Sequence, residues 1–390
     1  MTGLAASIDR LGTETAFEVL ARARALEADG RRVIHLEIGE PDFPTPAHIV
    51  EAGVRALRDG HTHYCPAPGL PELRQACADH LSATRGVAVP ADSVVVAPGA
   101  KPFIYFGLLA TCQPGDEVIH PDPGFPIYES VIRYAGATPV PLPIVEANGF
   151  AFTAADLAER LSERTRMVIL NSPANPTGGV LDPALTAEIA SLLAGHDCWV
   201  LSDEVYSGML YDARHDSVAA HGLLDRTILL DGFSKSFAMT GWRLGYAALP
   251  APLVEPVTRL IINSVSCTAP AVQLAGLAAL TGPRTEVDAM MAQFRLRRDA
   301  VVAGLNALPG VSCVTPRGAF YAFPDITGTG LGARELADRL LDEAGVAVLA
   351  GTAFGRCGEG HLRLSYANSL ENIGEALAAI GRLLEREATG

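Results

Sequence analysis

Short aliphatic or β-branched runs alternate along this chain with longer stretches whose apolar positions recur at helical spacing. The runs are "SVVVAPGAKP", "DEVIHPDPGFP", "RMVILNSPANPTGG", "CWVLSDEVY" and "TILLDGFSK". Between them lie "IYFGLLATC", "AADLAERLSE" and "LTAEIASLLAGH". This alternation predicts an α/β fold with a mostly parallel central sheet and helices on both faces. In each run the apolar residues come first and a polar, Gly- or Pro-rich segment follows. Such sheets bind ligands beyond the carboxyl ends of their strands, so the polar segments are expected to gather at one edge.

The flanks read differently. "TETAFEVLARARALEADG" sets Thr15 and Glu18 at capping-box spacing and puts Phe17, Leu20 and Leu26 on one helical face. "VIHLEIGEPDFPTP" is a short strand stopped by glycine and prolines. After about residue 285, "MMAQFRLRRDAVVAGLNAL", "GAFYAFPDI", "ARELADRLLDEAG" and "GHLRLSYA" read as helix, strand, helix, strand, with a last helix to the end. The expected organisation is a large α/β domain over residues 41–284 and a smaller α+β domain from residues 1–40 and 285–390. "GTGLGA" at 328–333 fits a dinucleotide-type glycine pattern. That reading also needs a carboxylate about twenty residues on. Ala353 stands there instead, so the segment reads as a loop entering a helix.

Composition narrows the function. With 390 residues, 49% hydrophobic and 19% charged, the chain can bury a large core and has the balance of a folded globule. A net charge of −14 with no long basic run argues against a nucleic-acid surface. The seven cysteines form no C-x-x-C, and no H-E-x-x-H occurs, so no metal site is expected. No apolar run is long enough for a membrane span, and the expected setting is reduced and cytoplasmic.

Two of the thirty basic residues are lysines, Lys101 and Lys235. An ammonium can give up its proton and act as a nucleophile, whereas a guanidinium effectively cannot. Lys235, in "LLDGFSKSFAMTGWRLGY", is therefore a candidate for amine chemistry. Ser234, Arg243 and the turn Gly99–Ala100–Lys101 at the opening of a helix could together hold a phosphate. Asp203 and Tyr206 follow an apolar strand, where a carboxylate could face a cationic ring nitrogen. Asn175 lies between prolines that fix its backbone. Phe125, on a Pro-bounded turn, suits stacking on a flat ring.

These residues, with "GEPDFPTP", "THYCPAPGLPELR", "NSPANPTG", "SDEVY", "GFSKSFAMTGWRLGY" and "HLRLSYANS" in this order, resemble the class I aminotransferases of the fold-type-I pyridoxal-phosphate enzymes over nearly the full chain. The likeness is to their bacterial aspartate-aminotransferase-like branch. It implies pyridoxal 5′-phosphate as cofactor, with Lys235 condensing with the aldehyde and moving the proton between Cα and C4′. It implies Asp203 on the ring nitrogen, Asn175 and Tyr206 on the phenolic oxygen, and Phe125 on the ring face, where relatives commonly carry Trp or Tyr. Gly99, Ala100, Ser234 and Arg243 would hold the phosphate. Tyr64 would reach the phosphate of a partner subunit, making the active unit a homodimer. Arg363 would clamp the substrate α-carboxylate, helped by the Gly39 amide. Glu14 would lie near the substrate side chain, where a carboxylate disfavours acidic donors. Three outcomes stay open: transamination by a ping-pong mechanism between an L-amino acid and a 2-oxo acid; elimination, decarboxylation or oxidation on the same site; or a non-catalytic sensor.

Overall fold

In the computed structural model, which describes residues 3–389, the alternating runs become one mixed sheet. After a short β1 (Ile34–His35), the chain forms β2 (Val94–Ala97), β3 (Glu117–Asp122), β4 (Thr138–Pro143), β5 (Thr165–Asn171), β6 (Trp199–Asp203), β7 (Thr227–Gly232) and β8 (Gly245–Ala248). The seven strands from β2 to β8 lie in the order β2-β8-β7-β6-β5-β3-β4. Only β8 runs against its neighbours. The α/β expectation, with a mostly parallel sheet between helices, therefore holds.

Side chains alternate across this sheet as the pleat requires. Met167, Ile169 and Leu201 pack with Phe103, Leu108 and Ile132 from helices on one face. Val168, Leu170 and Val200 pack with Ile189 and Leu193 on the other. Both faces are covered, which is why these strands read as unbroken apolar runs. The helix Lys101–Thr111 follows β2 directly and so brings its N-terminus to the carboxyl edge.

The segment after residue 284 forms long helices, Thr285–Asn306, Ala333–Ala344 and Leu370–Thr389, against β9 (Tyr321–Ala322), β10 (Val346–Ala347), β11 (Leu349–Ala350) and β12 (Leu362–Ser365). β9, β11 and β12 make an antiparallel sheet, and β1 joins β10 in parallel. Their core is rich in aromatics, with Phe294, Phe320, Tyr321 and Tyr366 all buried. "GTGLGA" is a turn into the helix at Ala333, with Gly330 left-handed at φ 76°. No described helix is long and apolar enough to cross a membrane.

Several local expectations change. The first helix, Thr15–Ala28, has Glu14 at its N-cap with no side-chain cap, so Thr15 and Glu18 form no capping box: Thr15 is already in the first turn. Its packed face is Val19, Ala23 and Leu26. Phe17 is exposed, and with Leu20 it borders the cavity described below. A capping box occurs instead at Thr153 and Asp156, and the helix it starts is only Ala154–Ala158. Of "GAFYAFPDI", only two residues pair as a strand.

Candidate active site

The carboxyl ends of β2, β3, β5, β6 and β7 open onto one cavity of about 970 Å³. Ala100, Lys101, Phe125, Asn175, Asp203, Tyr206, Ser234, Lys235 and Arg243 border it from the large sheet's loops. Gly39 borders it from the segment after β1, and Arg363 from β12. Gly99 stands just behind Ala100. Tyr64 is elsewhere: the residue is 88% exposed and does not border the cavity of its own chain.

Lys235 donates from Nζ to the Gly39 carbonyl and sits 5.8 Å from the centre of the Tyr206 ring. Burial, aided by the positive charge of Arg363, draws its pKa down to about 8. An amine so placed carries on the order of 10² times more free base near neutrality than an ordinary lysine.

Asp203 is 5% exposed at the end of β6. Its Oδ2 accepts from Tyr128 Oη at 2.7 Å and its Oδ1 from the Val205 amide at 3.4 Å. Burial pushes its pKa up to about 6, and the nearby charges of Asp231 and Glu204 have its own sign. The chain thus holds a buried carboxylate beside an open cavity without a cation to balance it, which suits a cationic ring nitrogen.

Tyr206 Oη lies 2.7 Å from Tyr321 Oη, and burial keeps both phenols protonated. Arg363 is almost fully buried. It donates Nη1 to Asn175 Oδ1 at 3.4 Å and Nη2 to the Glu37 carbonyl, and it lies over the Tyr321 and Phe354 rings. Its Nε has no partner. Gly39 must be glycine, because a Cβ there would run into Tyr321 Oη.

The anion grip is local geometry. Gly99, at φ 90°, leaves space that the Arg243 guanidinium fills, so a Cβ at 99 would collide with it. Arg243 itself sits at φ 54° and donates to the Thr240 carbonyl at 2.8 Å. Ala100 is the N-cap of the helix Lys101–Thr111; Pro102 has no N–H and the Phe103 amide donates to the Ala100 carbonyl at 3.0 Å, so the amides of Ala100 and Lys101 are the ones left for a ligand at this helix start. Backbone N–H groups, the Ser234 hydroxyl and a guanidinium meet there, a combination that favours a phosphate.

Glu14 also borders the cavity, and Lys101 Nζ pairs with its carboxylate while lying 5.4 Å from the Phe125 ring centre. Lys101 therefore weakens the repulsion that a bare carboxylate at 14 would exert on acidic donors. Sequence reasoning missed Tyr128 and Tyr321. Tyr128, inside the amphipathic helix Ile127–Tyr134, and "GAFYAF" around Tyr321 both read only as core. It also missed Glu204, whose side chain points away from the cavity into a buried network with Arg85, His215 and Ser217.

Residues 31–380 match the family model for aminotransferase class I and II. The chain is 41% identical to an aspartate aminotransferase of Pyrococcus horikoshii, covering 95% of this chain and 94% of that one. It is also 41% identical to the arginine–pyruvate transaminase of Pseudomonas aeruginosa, covering 94% and 93%. The crystal structure of an aspartate aminotransferase from Rhizobium meliloti superposes with a TM-score of 0.95 at 36% identity, covering 99% of this chain and all of that one.

Proposed function

The chain belongs to the class I and II aminotransferase family, and from that premise we propose that it binds pyridoxal 5′-phosphate in this cavity and transfers an amino group from an L-amino acid to a 2-oxo acid in two half-reactions. When bound, the cofactor supplies an aldehyde that takes the amino group and a protonated ring that accepts electron density from Cα.

Everything else is the work of the protein. Lys235 offers the amine that meets the aldehyde. Its Nζ would also move the proton between substrate Cα and the former aldehyde carbon, C4′, on the far side of the amino nitrogen, a task suited to a pKa drawn to about 8. Asp203 pairs with the ring N–H, and Tyr128 holds the carboxylate in line. Asn175 and Tyr206 hydrogen-bond the ring's phenolic oxygen, and Phe125 covers the ring face. Gly99, Ala100, the Lys101 amide, Ser234 and Arg243 hold the phosphate. Arg363 and the Gly39 amide fix the α-carboxylate. Residues 1–40 and 285–390 act as the smaller domain that closes over residues 41–284. A second copy of the chain contributes Tyr64 to the phosphate site.

The observation that carries this reading is Lys235: one of two lysines, at a strand end, its Nζ in the cavity with a depressed pKa. Mixing the cofactor-loaded protein with single amino acids is expected to convert the cofactor spectrum to its amine form, with no ammonia, carbon dioxide or peroxide released. Release of any of these would replace transamination by another bond cleavage. Borohydride reduction and peptide mapping should mark position 235, and Lys235→Ala should abolish turnover. An unmarked lysine or normal turnover would overturn the assignment.

A further inference from the structure

Behind Arg363 lies a charge arrangement that the reaction as described does not use. Glu37 has no exposed surface. Its Oε1 meets His35 Nδ1 at 2.7 Å, and its Oε2 has no hydrogen-bond partner. The other ring nitrogen of His35, Nε2, faces Glu27 Oε1 at 3.1 Å, across from the first helix. Ionised carboxylates only accept hydrogen bonds, so a neutral imidazole can satisfy one of these contacts and an imidazolium satisfies both. Burial by itself lowers the histidine's pKa, but the hydrogen bonds and charges of Glu37 and Glu27 outweigh it and leave it raised.

The charged and titratable groups around this arrangement come from several elements. Glu27 and Arg24 of the first helix border the cavity beside His35. The paired strand β10 offers only Val346 and Ala347, and from the loop before the last helix Asn368 donates to the His35 carbonyl at 3.0 Å. Arg363 feels Tyr321, Tyr206, Glu37 and Glu14, all of which support its charge. It touches residue 37 through the backbone carbonyl alone.

We propose that His35 and Glu37 set how strongly Arg363 attracts a substrate carboxylate: protonated His35 cancels the buried charge of Glu37 and leaves Arg363 free to bind the incoming anion, whereas neutral His35 leaves Glu37 to compete with it. These are positioning residues, acting through Arg363, and the proposal rests on the reading of Arg363 as the carboxylate clamp. Its sign is fixed. His35 is protonated below its raised pKa, so carboxylates bind more tightly on the acid side and more weakly as pH rises through that value.

The test is the inhibition constant of a non-reacting carboxylate, such as maleate, measured against pH on the cofactor-loaded enzyme. In the parent it should weaken roughly three- to tenfold as His35 loses its proton, the size expected of one unit charge several ångströms away behind partial screening. Subtracting the variant profiles separates this step from the titration of Lys235 and Asp203. His35→Gln keeps a donor toward Glu37 without the charge. It should bind the inhibitor as weakly as the parent does at high pH, without the pH step. Glu37→Gln should bind it more tightly than the parent at high pH. A purely structural role would weaken binding in both variants, and that result overturns the proposal. So does a His35→Gln profile identical to the parent's. Arg363→Lys should weaken binding at every pH; if it leaves binding unchanged, the clamp reading fails and this proposal falls with it.

Discussion

Asp203 is buried in the wall of the cavity, and on the proposed reading its protonation state should govern how well the cavity holds a cationic ring. Its folded pKa of about 6 lies above the 3.8 of an exposed aspartate. The folded chain therefore keeps this proton across that window, and the carboxylate is ionised only above it. Tyr128 donates to the charged form and opposes the shift. Cofactor affinity of the stripped protein should then weaken as pH falls through about 6. Asp203→Asn should lose that step and slow turnover roughly 10²–10³-fold. Tyr128→Phe removes a bond to the ionised form and should move the step upward in pH. Cofactor titrations from about pH 5 to 8 measure both effects, and a flat profile in the parent would exclude Asp203 from the ring. Asp203 could be picked out from the sequence because a carboxylate directly after an apolar strand is conspicuous. Tyr128 could not, since a tyrosine inside an amphipathic helix looks like any core aromatic until its hydroxyl is seen to bond.

One residue along, the pleat turns Glu204 to the opposite side, where it ties three elements together. Arg85, at the end of the helix Pro71–Arg85, donates to Glu204 at 2.8 Å and to Asp231 at 2.6 Å, joining the ends of β6 and β7. His215 and Arg85 hold the Glu204 carboxyl down to about 2 against the effect of burial. Its stabilising contribution is thus present above the ordinary glutamate range and lost as pH falls through about 2. Arg85→Met takes the shared guanidinium from two buried carboxylates and leaves Glu204 with His215 alone among its ionic partners. It should destabilise the fold by about 3–5 kcal/mol in denaturant unfolding, with Arg85→Met/Glu204→Gln recovering part of the loss. A cost under about 1 kcal/mol would mean that solvent reaches the network. Other elements were hidden in the sequence for physical reasons. β4, "TPVPLP", looks like a loop because of its prolines. It is an edge strand: the Thr138 amide turns inward to the Asp116 carbonyl, so Pro139, Pro141 and Pro143 fall at the alternate positions facing the open edge, where no donor is needed. β8, "GYAA", is four small or aromatic residues whose pairing is decided by the strands on either side. By contrast β2, β3, β5, β6 and β7 could be read directly, because burial on both faces demands continuous apolar runs.

At the scale of the whole molecule, the cavity is bordered by every proposed site residue except Gly99, which backs its wall, and Tyr64, which points into solvent. Tyr64 is not isolated there. Its neighbour Cys65 bonds to the Thr268 carbonyl, so Tyr64 lies close to the end of the helix Ala251–Val265, where Ile262 and Val265 are also exposed. An exposed tyrosine beside exposed aliphatics is an unfavourable surface for a lone chain and a suitable one for a second copy. The expected particle in solution has twice the 40.9 kDa chain mass. Its two sites would each combine Lys235 of one chain with Tyr64 of the other. Mixing tests this more sharply than mass alone. Lys235→Ala should be inactive by loss of the amine, and Tyr64→Ala should be impaired by a weakened phosphate grip. A dimer exchanged between the two variants contains one site with an intact Lys235 and an intact Tyr64, so activity should rise above that of either variant. If Tyr64 served its own chain, exchange would give no gain, and a monomeric mass with full activity would remove the shared site altogether.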